Sequence, residues 1–278
     1  MDRSSLQSSC GRDATLAVDN GGFAGGINWL EMGAGARYGF AALSIDTGHI
    51  STATQLEWAL GRPESRTDWG WRAVNGEGRV DSTGNNSTNQ SVIEHSYFSG
   101  CSTGRGQGLK EAQISSGSFD GVLMGAPAWY TSRLNNWATK VAQWNWPADR
   151  PGHIPWTALR TLAREVSRRA EDSTRATPQS ESVCLTEAQI GTLRRAYADY
   201  VSESTGELIQ PGPLLGSEWT IHAVLNYSDA SPYTIGYERY FLLDDPEFGV
   251  SDFNDSVVEL SARSDPGGAT ADDYGAVA

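Results

Sequence analysis

In the first 128 residues the apolar positions fall in short runs, each closed by glycine, proline or a polar turn. "ATLAVDNGGFAGGINWL", residues 14–30, starts as a short strand, passes through a Gly-Gly loop and returns to apolar sequence. "YGFAALSIDTGH", residues 38–49, predicts a second strand ending in a polar turn. "ATQLEWAL", residues 53–60, reads as one or two helical turns stopped by Gly61 and Pro63. Residues 76–90 are polar and loop-like. Then "SYFSG" (96–100) predicts a strand, "QGLKEAQI" (107–114) a helix start and "FDGVLMGAPA" (119–128) a buried strand ended by Pro127. Strand, turn, helix, strand is the βαβ pattern of a parallel sheet, so the fold class expected is α/β.

Beyond residue 128 the period changes. "TALRTLAREVSRRAEDSTRAT" is basic, with Leu159, Leu162 and Val166 on one helical face. After a polar joint comes "LTEAQIGTLRRAYADYV", where Thr186 as N-cap and Gln189 three residues on form a capping box. These amphipathic helices read as an insertion outside the sheet. The expected organisation is a partial core over residues 1–128, a lid over 129–263 and a frayed polar tail over 264–278.

Composition narrows the function. At 278 residues the chain can bury a sizeable core, and 38% hydrophobic with 20% charged residues is a globular balance. The net charge of −13 argues against a nucleic-acid surface, which needs clustered Lys and Arg. No apolar run approaches the length of a membrane span. A small soluble molecule is the expected partner. Ten tryptophans fill the core or line an aromatic cleft for a planar ligand. Cys10, Cys101 and Cys184 form an odd set, and Asn85, Asn86, Asn89, Asn226 and Asn254 each begin a glycosylation sequon. These features fit a secreted glycoprotein, whereas "MDRSSLQSSC" has no apolar segment and is not a signal peptide.

One stretch carries candidate chemistry. Gly100-Cys101-Ser102-Thr103-Gly104 matches G-x-S-x-G, in which a sharp strand-to-helix turn exposes the central serine. Small flanking residues let the turn close, and the helix N-terminus aims N–H groups at the charge formed when serine attacks a carbonyl. The Thr103 N–H would be one donor to that oxyanion, and Gly22, in the loop 21–26, stands for the other. In so glycine-rich a chain the pattern is weak by itself. A structural turn, or a phosphate cradle of Gly104, Gly106 and Gly108, competes with the catalytic reading.

The wider stretch "YFSGCSTGRGQGLKEAQ…FDGVLMGAPA" resembles the nucleophile region of the tannase/feruloyl esterase family. So do "GGFAGGINW", "SIDTGH", "DWGWRAV", "CLTEAQ" and "GSEW", in the family's order over roughly residues 14–275. The resemblance implies a secreted α/β-hydrolase with an inserted lid, cleaving esters of phenolic acids such as gallate or ferulate. It implies that Ser102 is the nucleophile, and that Cys101 pairs with a cysteine directly after the catalytic histidine.

The chain also departs from that pattern. The family's Asp and its His-Cys pair lie beyond the lid, and none of His49, His95, His153 and His222 precedes a cysteine. The catalytic Asp and His are therefore not present in this chain, which reads as a truncated member with an incomplete sheet. The alternative function is a catalytically dead remnant, at most a binder of phenolic ligands. The family's calcium loop is replaced by an interval whose acids are only Glu171, Asp172 and Glu181, so no metal or other cofactor is expected. Arg105-Gly106 stands where the family has Gly-Arg, which would put a side chain where the helix packs closest and loosen the turn. An open sheet edge predicts self-association.

Overall fold

The computed structural model describes residues 14–75, 93–171, 185–214, 217 and 232–271. The loop 76–90, Cys10, Cys184, His222, Asp172, Glu181 and the sequons at Asn85, Asn86, Asn89 and Asn226 lie outside the described residues. Strands β1 (Ala14–Val18), β2 (Ala41–Ser44), β3 (His95–Cys101) and β4 (Gly121–Gly125) form one parallel sheet in the order β2-β1-β3-β4. The α/β-hydrolase fold and parallel core expected from the sequence are what is found.

The first described strand, β1, is an inner strand of this sheet, and the later strands add outward on both sides. From β1 it returns to β2 through helix α1 (Trp29–Arg37). Helix α2 (Pro63–Thr67) follows and runs into a π-helical turn, Asp68–Arg72. From β3 the chain reaches β4 through helix α3 (Thr103–Ile114). Because the two crossovers step in opposite directions, right-handed connection puts α1 and α3 on opposite faces.

The register agrees. Leu43, Ala17, Phe98 and Val122 are successive partners across all four strands and form one apolar row on the α3 face, joined by Val74 and Phe119. The neighbouring row, Leu16 with Tyr97, points to the α1 side, where a Cβ on Gly35 would lie 2.9 Å from the Leu16 side chain. Between α1 and strands β3 and β4 this face keeps an apolar groove of about 490 Å³, lined by Leu16, Tyr38, Phe40, Tyr97 and Leu123 among others.

Several boundaries differ from the sequence reading. The second strand is only Ala41–Ser44, because Tyr38 caps α1 and the positive φ of Gly39, Thr47 and Gly48 bends the chain on both sides. The segment 53–60 makes a single 3-10 turn, Glu57–Ala59. Helix α3 begins four residues earlier than the run "QGLKEAQI" suggests. The start of the tail is not frayed: Ala269, Thr270 and Ala271 are buried, Lys110 Nζ donates to Thr270 O at 2.7 Å, and Ala271 N–H donates to Trp129 O at 2.9 Å.

The chain divides into two compact units. The first is Met1–Ser132, Tyr240–Asp244 and Ser264–Ala278; the second is Arg133–Arg239 and Asp245–Arg263. The first unit also holds an aromatic cluster in which Phe23 stacks on Trp69 with centroids 5.3 Å apart and meets Phe241 at 5.4 Å.

The second unit is mainly helical. It comprises most of α4 (Thr131–Asn145), then α5 (Trp156–Glu171), α6 (Glu187–Tyr197) and α7 (Asp255–Ser264), with a small antiparallel pair, β5 (Tyr200–Val201) and β6 (Leu208–Gln210). Its core includes Val141, Leu159, Ala163, Tyr200, Ile235 and Tyr237. The capping box of α6 forms as expected, with Gln189 N–H donating to Thr186 Oγ1 at 3.3 Å and Thr186 N–H donating to Gln189 Oε1 at 2.9 Å.

Candidate active site

Two structural features converge at the C-terminal end of the central strands. The first is the turn from β3 into α3. Ser102 sits there with φ 58° and ψ −116°, a conformation that costs a non-glycine residue free energy and persists only when its surroundings enforce it. They do so through the backbone: Ala128 N–H donates to Ser102 O at 3.0 Å, Gly106 N–H donates to the same oxygen at 3.2 Å, and Ser102 N–H donates to Gly125 O at 3.4 Å. Thr103 opens the helix, so its N–H has no acceptor within the helix.

The helix is able to approach because three of its residues lack a side chain. A Cβ on Gly104 would lie 2.8 Å from Asn20 O, one on Gly106 2.5 Å from Ala128 O, and one on Gly108 2.8 Å from the Phe98 ring. The closest approaches thus fall on the glycines themselves.

The second feature is the loop 19–28 after β1. Gly22 there has φ 63°, and a Cβ on Gly21 would lie 3.6 Å from Cys101 O and 3.9 Å from Ser102 Cβ. The loop therefore passes directly beside the serine. Phe23 anchors it, its carbonyl accepting from Ser51 Oγ at 2.9 Å and from Trp58 Nε1 at 3.2 Å. Asn20 Nδ2 donates to Gly26 O at 2.6 Å, and Asn28 Nδ2 donates to Asp19 O at 3.0 Å. Of the sequence-predicted residues, Ser102 and Thr103 are neighbours at the turn, and Gly22 follows Gly21, the loop residue that lies against Ser102.

The described histidines are engaged elsewhere. His49 stacks on Trp58 with centroids 3.6 Å apart, and its Nε2 lies 3.2 Å from Phe23 O. His153 Nδ1 lies 2.7 Å from Asn145 O. His95 is exposed, 3.9 Å from Asp120. Among the described residues none hydrogen-bonds Ser102 Oγ. Cys101 is exposed and has a free thiol. No group of three or more His, Cys, Asp or Glu able to hold a metal occurs among the described residues, and no helix among them is long and apolar enough to cross a membrane.

Sequence reasoning passed over one residue of this region, Asp19. It follows β1, is 4% exposed, and burial pushes its carboxyl up to about 7, against the opposing pull of the Asn20 N–H. The signal was there to see: an acid closing an apolar strand just before a Gly-Gly loop is an unusual place for a charge.

Residues 12–174 match the family model described as tannase and feruloyl esterase. The chain is 28% identical over 276 residues to a probable feruloyl esterase B-1 of Aspergillus terreus, covering 90% of this chain and 52% of that protein. It is 26% identical over 272 residues to a probable feruloyl esterase B of Emericella nidulans, covering 90% and 51%. Among solved structures it is similar to feruloyl esterase B from Aspergillus oryzae, with a TM-score of 0.82 at 22% identity, covering 95% of this chain and 57% of that one. Tannin acyl hydrolase from Aspergillus niger aligns with a TM-score of 0.61 at 15% identity, covering 96% and 58%. The chain spans about half the length of the curated relatives it matches.

Proposed function

The chain belongs to the tannase and feruloyl esterase family, and from that premise we propose that it carries the nucleophile and oxyanion-binding part of a carboxylic ester hydrolase acting on phenolic-acid esters. The observation that carries this reading is the backbone of Ser102, φ 58° and ψ −116°, at a strand-to-helix turn beside a glycine loop. That geometry exposes a hydroxyl at a helix N-terminus, where backbone N–H groups face a developing negative charge.

In this reading Ser102 Oγ forms a bond to the ester carbonyl carbon while its proton passes to a general base. The carbonyl oxygen becomes an oxyanion held by the N–H of Thr103 and the N–H of Gly22. Collapse breaks the ester C–O bond, and the alcohol leaves with a proton. Water then attacks the acyl-serine and releases the phenolic acid. Each oxyanion donor is worth about 10²–10³ in rate in such sites. Residues 129–263 act as the family's lid domain. Secretion, glycosylation at the exposed Asn254 and pairing of Cys101 with another cysteine belong to the same proposal.

A second reading has its own observation. Since no described histidine hydrogen-bonds Ser102 Oγ and none of the four histidines precedes a cysteine, the chain on its own is an inactive binder of phenolic ligands. Hydrolysis of methyl ferulate and methyl gallate by the full chain and by Ser102→Ala separates the two. Turnover that vanishes in the variant supports the esterase. Equal background rates, with tryptophan quenching by ferulate, support the binder.

A further inference from the structure

We propose that Asp19 is a positioning residue for the candidate active site, holding the loop 19–28 in the geometry that presents its N–H groups beside Ser102. The proposal rests on the esterase reading above. Asp19 is 4% exposed, directly between β1 and the loop. Its Oδ1 accepts from Asn20 N–H at 2.7 Å, which fixes the first peptide of the loop. The carbonyl of the next peptide, Asn20 O, is the one that a Cβ on Gly104 would strike at 2.8 Å, and that hypothetical Cβ would lie 3.4 Å from Asp19 Cβ. One side chain therefore stands where the glycine loop and the first turn after Ser102 press together.

The rest of the loop is tied to this point. The Asp19 carbonyl receives Asn28 Nδ2 at 3.0 Å, and Asn28 Oδ1 in turn accepts from Glu31 N–H at 3.2 Å at the start of α1. Asn20 Nδ2 closes the loop onto Gly26 O at 2.6 Å. Thus Asp19 through Asn28 is a cross-braced bridge from strand to helix, with Gly21 and Gly22 at its crest over the serine.

The second carboxyl oxygen gives the observation that a plain structural role leaves unexplained. Asp19 Oδ2 is buried with no hydrogen-bond partner among the described residues. Such a group is costly and is retained where something else needs the residue. Burial favours the protonated acid, for which an asparagine is a close mimic in shape and in its acceptor oxygen.

The test reads the oxyanion geometry without requiring turnover. The full chain is treated with a p-nitrophenyl phosphonate ester, followed by p-nitrophenolate release and by intact mass. Ser102 Oγ bonds to phosphorus, the bond to p-nitrophenolate breaks, and the serine proton goes to solvent; the adduct's oxygen sits in the oxyanion position. We expect Asp19→Ala to lower the maximal labelling rate by about tenfold or more while the concentration for half-maximal rate stays within about twofold. Asp19→Asn should label within about twofold of the parent. Asp19→Leu, which fills the buried space without an acceptor, should show the same loss as Asp19→Ala and replaces it if the smaller variant does not melt cooperatively. Labelling of Asp19→Ala or Asp19→Leu at the parent rate, or of Asp19→Asn as slowly as those two, overturns the proposal alone. A parent chain as unreactive as Ser102→Ala overturns the esterase reading, and this one with it.

Discussion

Two buried acids lie in different units of this chain, and burial raises the carboxyl of each well above its ordinary value. Glu238 is fully buried; burial pushes its carboxyl up to about 8, outweighing the bond from Thr139 Oγ1 at 3.0 Å. Its ordinary value is 4.5, so the folded state binds the proton more tightly than the unfolded chain does. The stability tied to that proton is fully present below about pH 4.5 and is lost as pH rises through about 8. The loss is of the order of a few kcal/mol. Glu238→Gln keeps an acceptor for Thr139 and removes the titration. In urea unfolding followed from pH 5 to pH 9, the parent's midpoint is expected to fall relative to the variant's across that range. Parallel curves would show that Glu238 does not titrate on unfolding. At the same scale, Ser102 was legible from the sequence because G-x-S-x-G names a turn, and the turn is there with its positive φ. Glu238 was not, because nothing in its stretch of sequence distinguishes an acid that faces water from one that a fold closes over, and Asp19 was signalled only by its place between an apolar strand and a Gly-Gly loop.

Helix α3 shows how an element can be misread for a physical reason. Gly104, Gly106 and Gly108 in its first half depress helix propensity, each by about 1 kcal/mol relative to alanine, so the pattern suggests a start only at Gln107. The helix begins at Thr103 because tertiary contact outweighs propensity: those glycines are where Asn20, Ala128 and Phe98 come closest. The same substitution should therefore have opposite effects in two helices. At Gly106 a Cβ would lie 2.5 Å from a backbone oxygen that cannot rotate away, and Gly106→Ala is expected to cost about 1–3 kcal/mol in spite of its better propensity. At Gly191 in α6 nothing lies within 4 Å, and Gly191→Ala is expected to stabilise by up to about 1 kcal/mol. Urea midpoints of the two variants check this, and a stabilising Gly106→Ala would mean that α3 does not pack as described. By contrast, the α6 start was fully legible, since a capping box is made of neighbours in sequence.

For the molecule as a whole, the question is what becomes of the face that α1 leaves open. Parallel sheets are ordinarily covered on both faces. Here α3 covers one, while on the other the groove of about 490 Å³ runs between α1 and strands β3 and β4. Leu123, on the outermost of the described strands, is 68% exposed, and Tyr38 at the end of α1 is 83% exposed. Apolar surface of this kind beside a strand edge favours pairing with another copy. The net charge of −13 opposes it, because two copies repel over a Debye length of about 8 Å at physiological ionic strength. The balance should thus depend on salt. Sedimentation velocity on the full chain is expected to show association that strengthens with protein concentration and again when salt is raised to about 1 M, where the screening length falls to about 3 Å. Leu123→Lys places a charge on the edge strand and in the groove at once, and should hold the chain monomeric under both conditions. A parent chain that sediments as a monomer at high salt would show that the repulsion is not what keeps copies apart and that this face has no appetite for a second one.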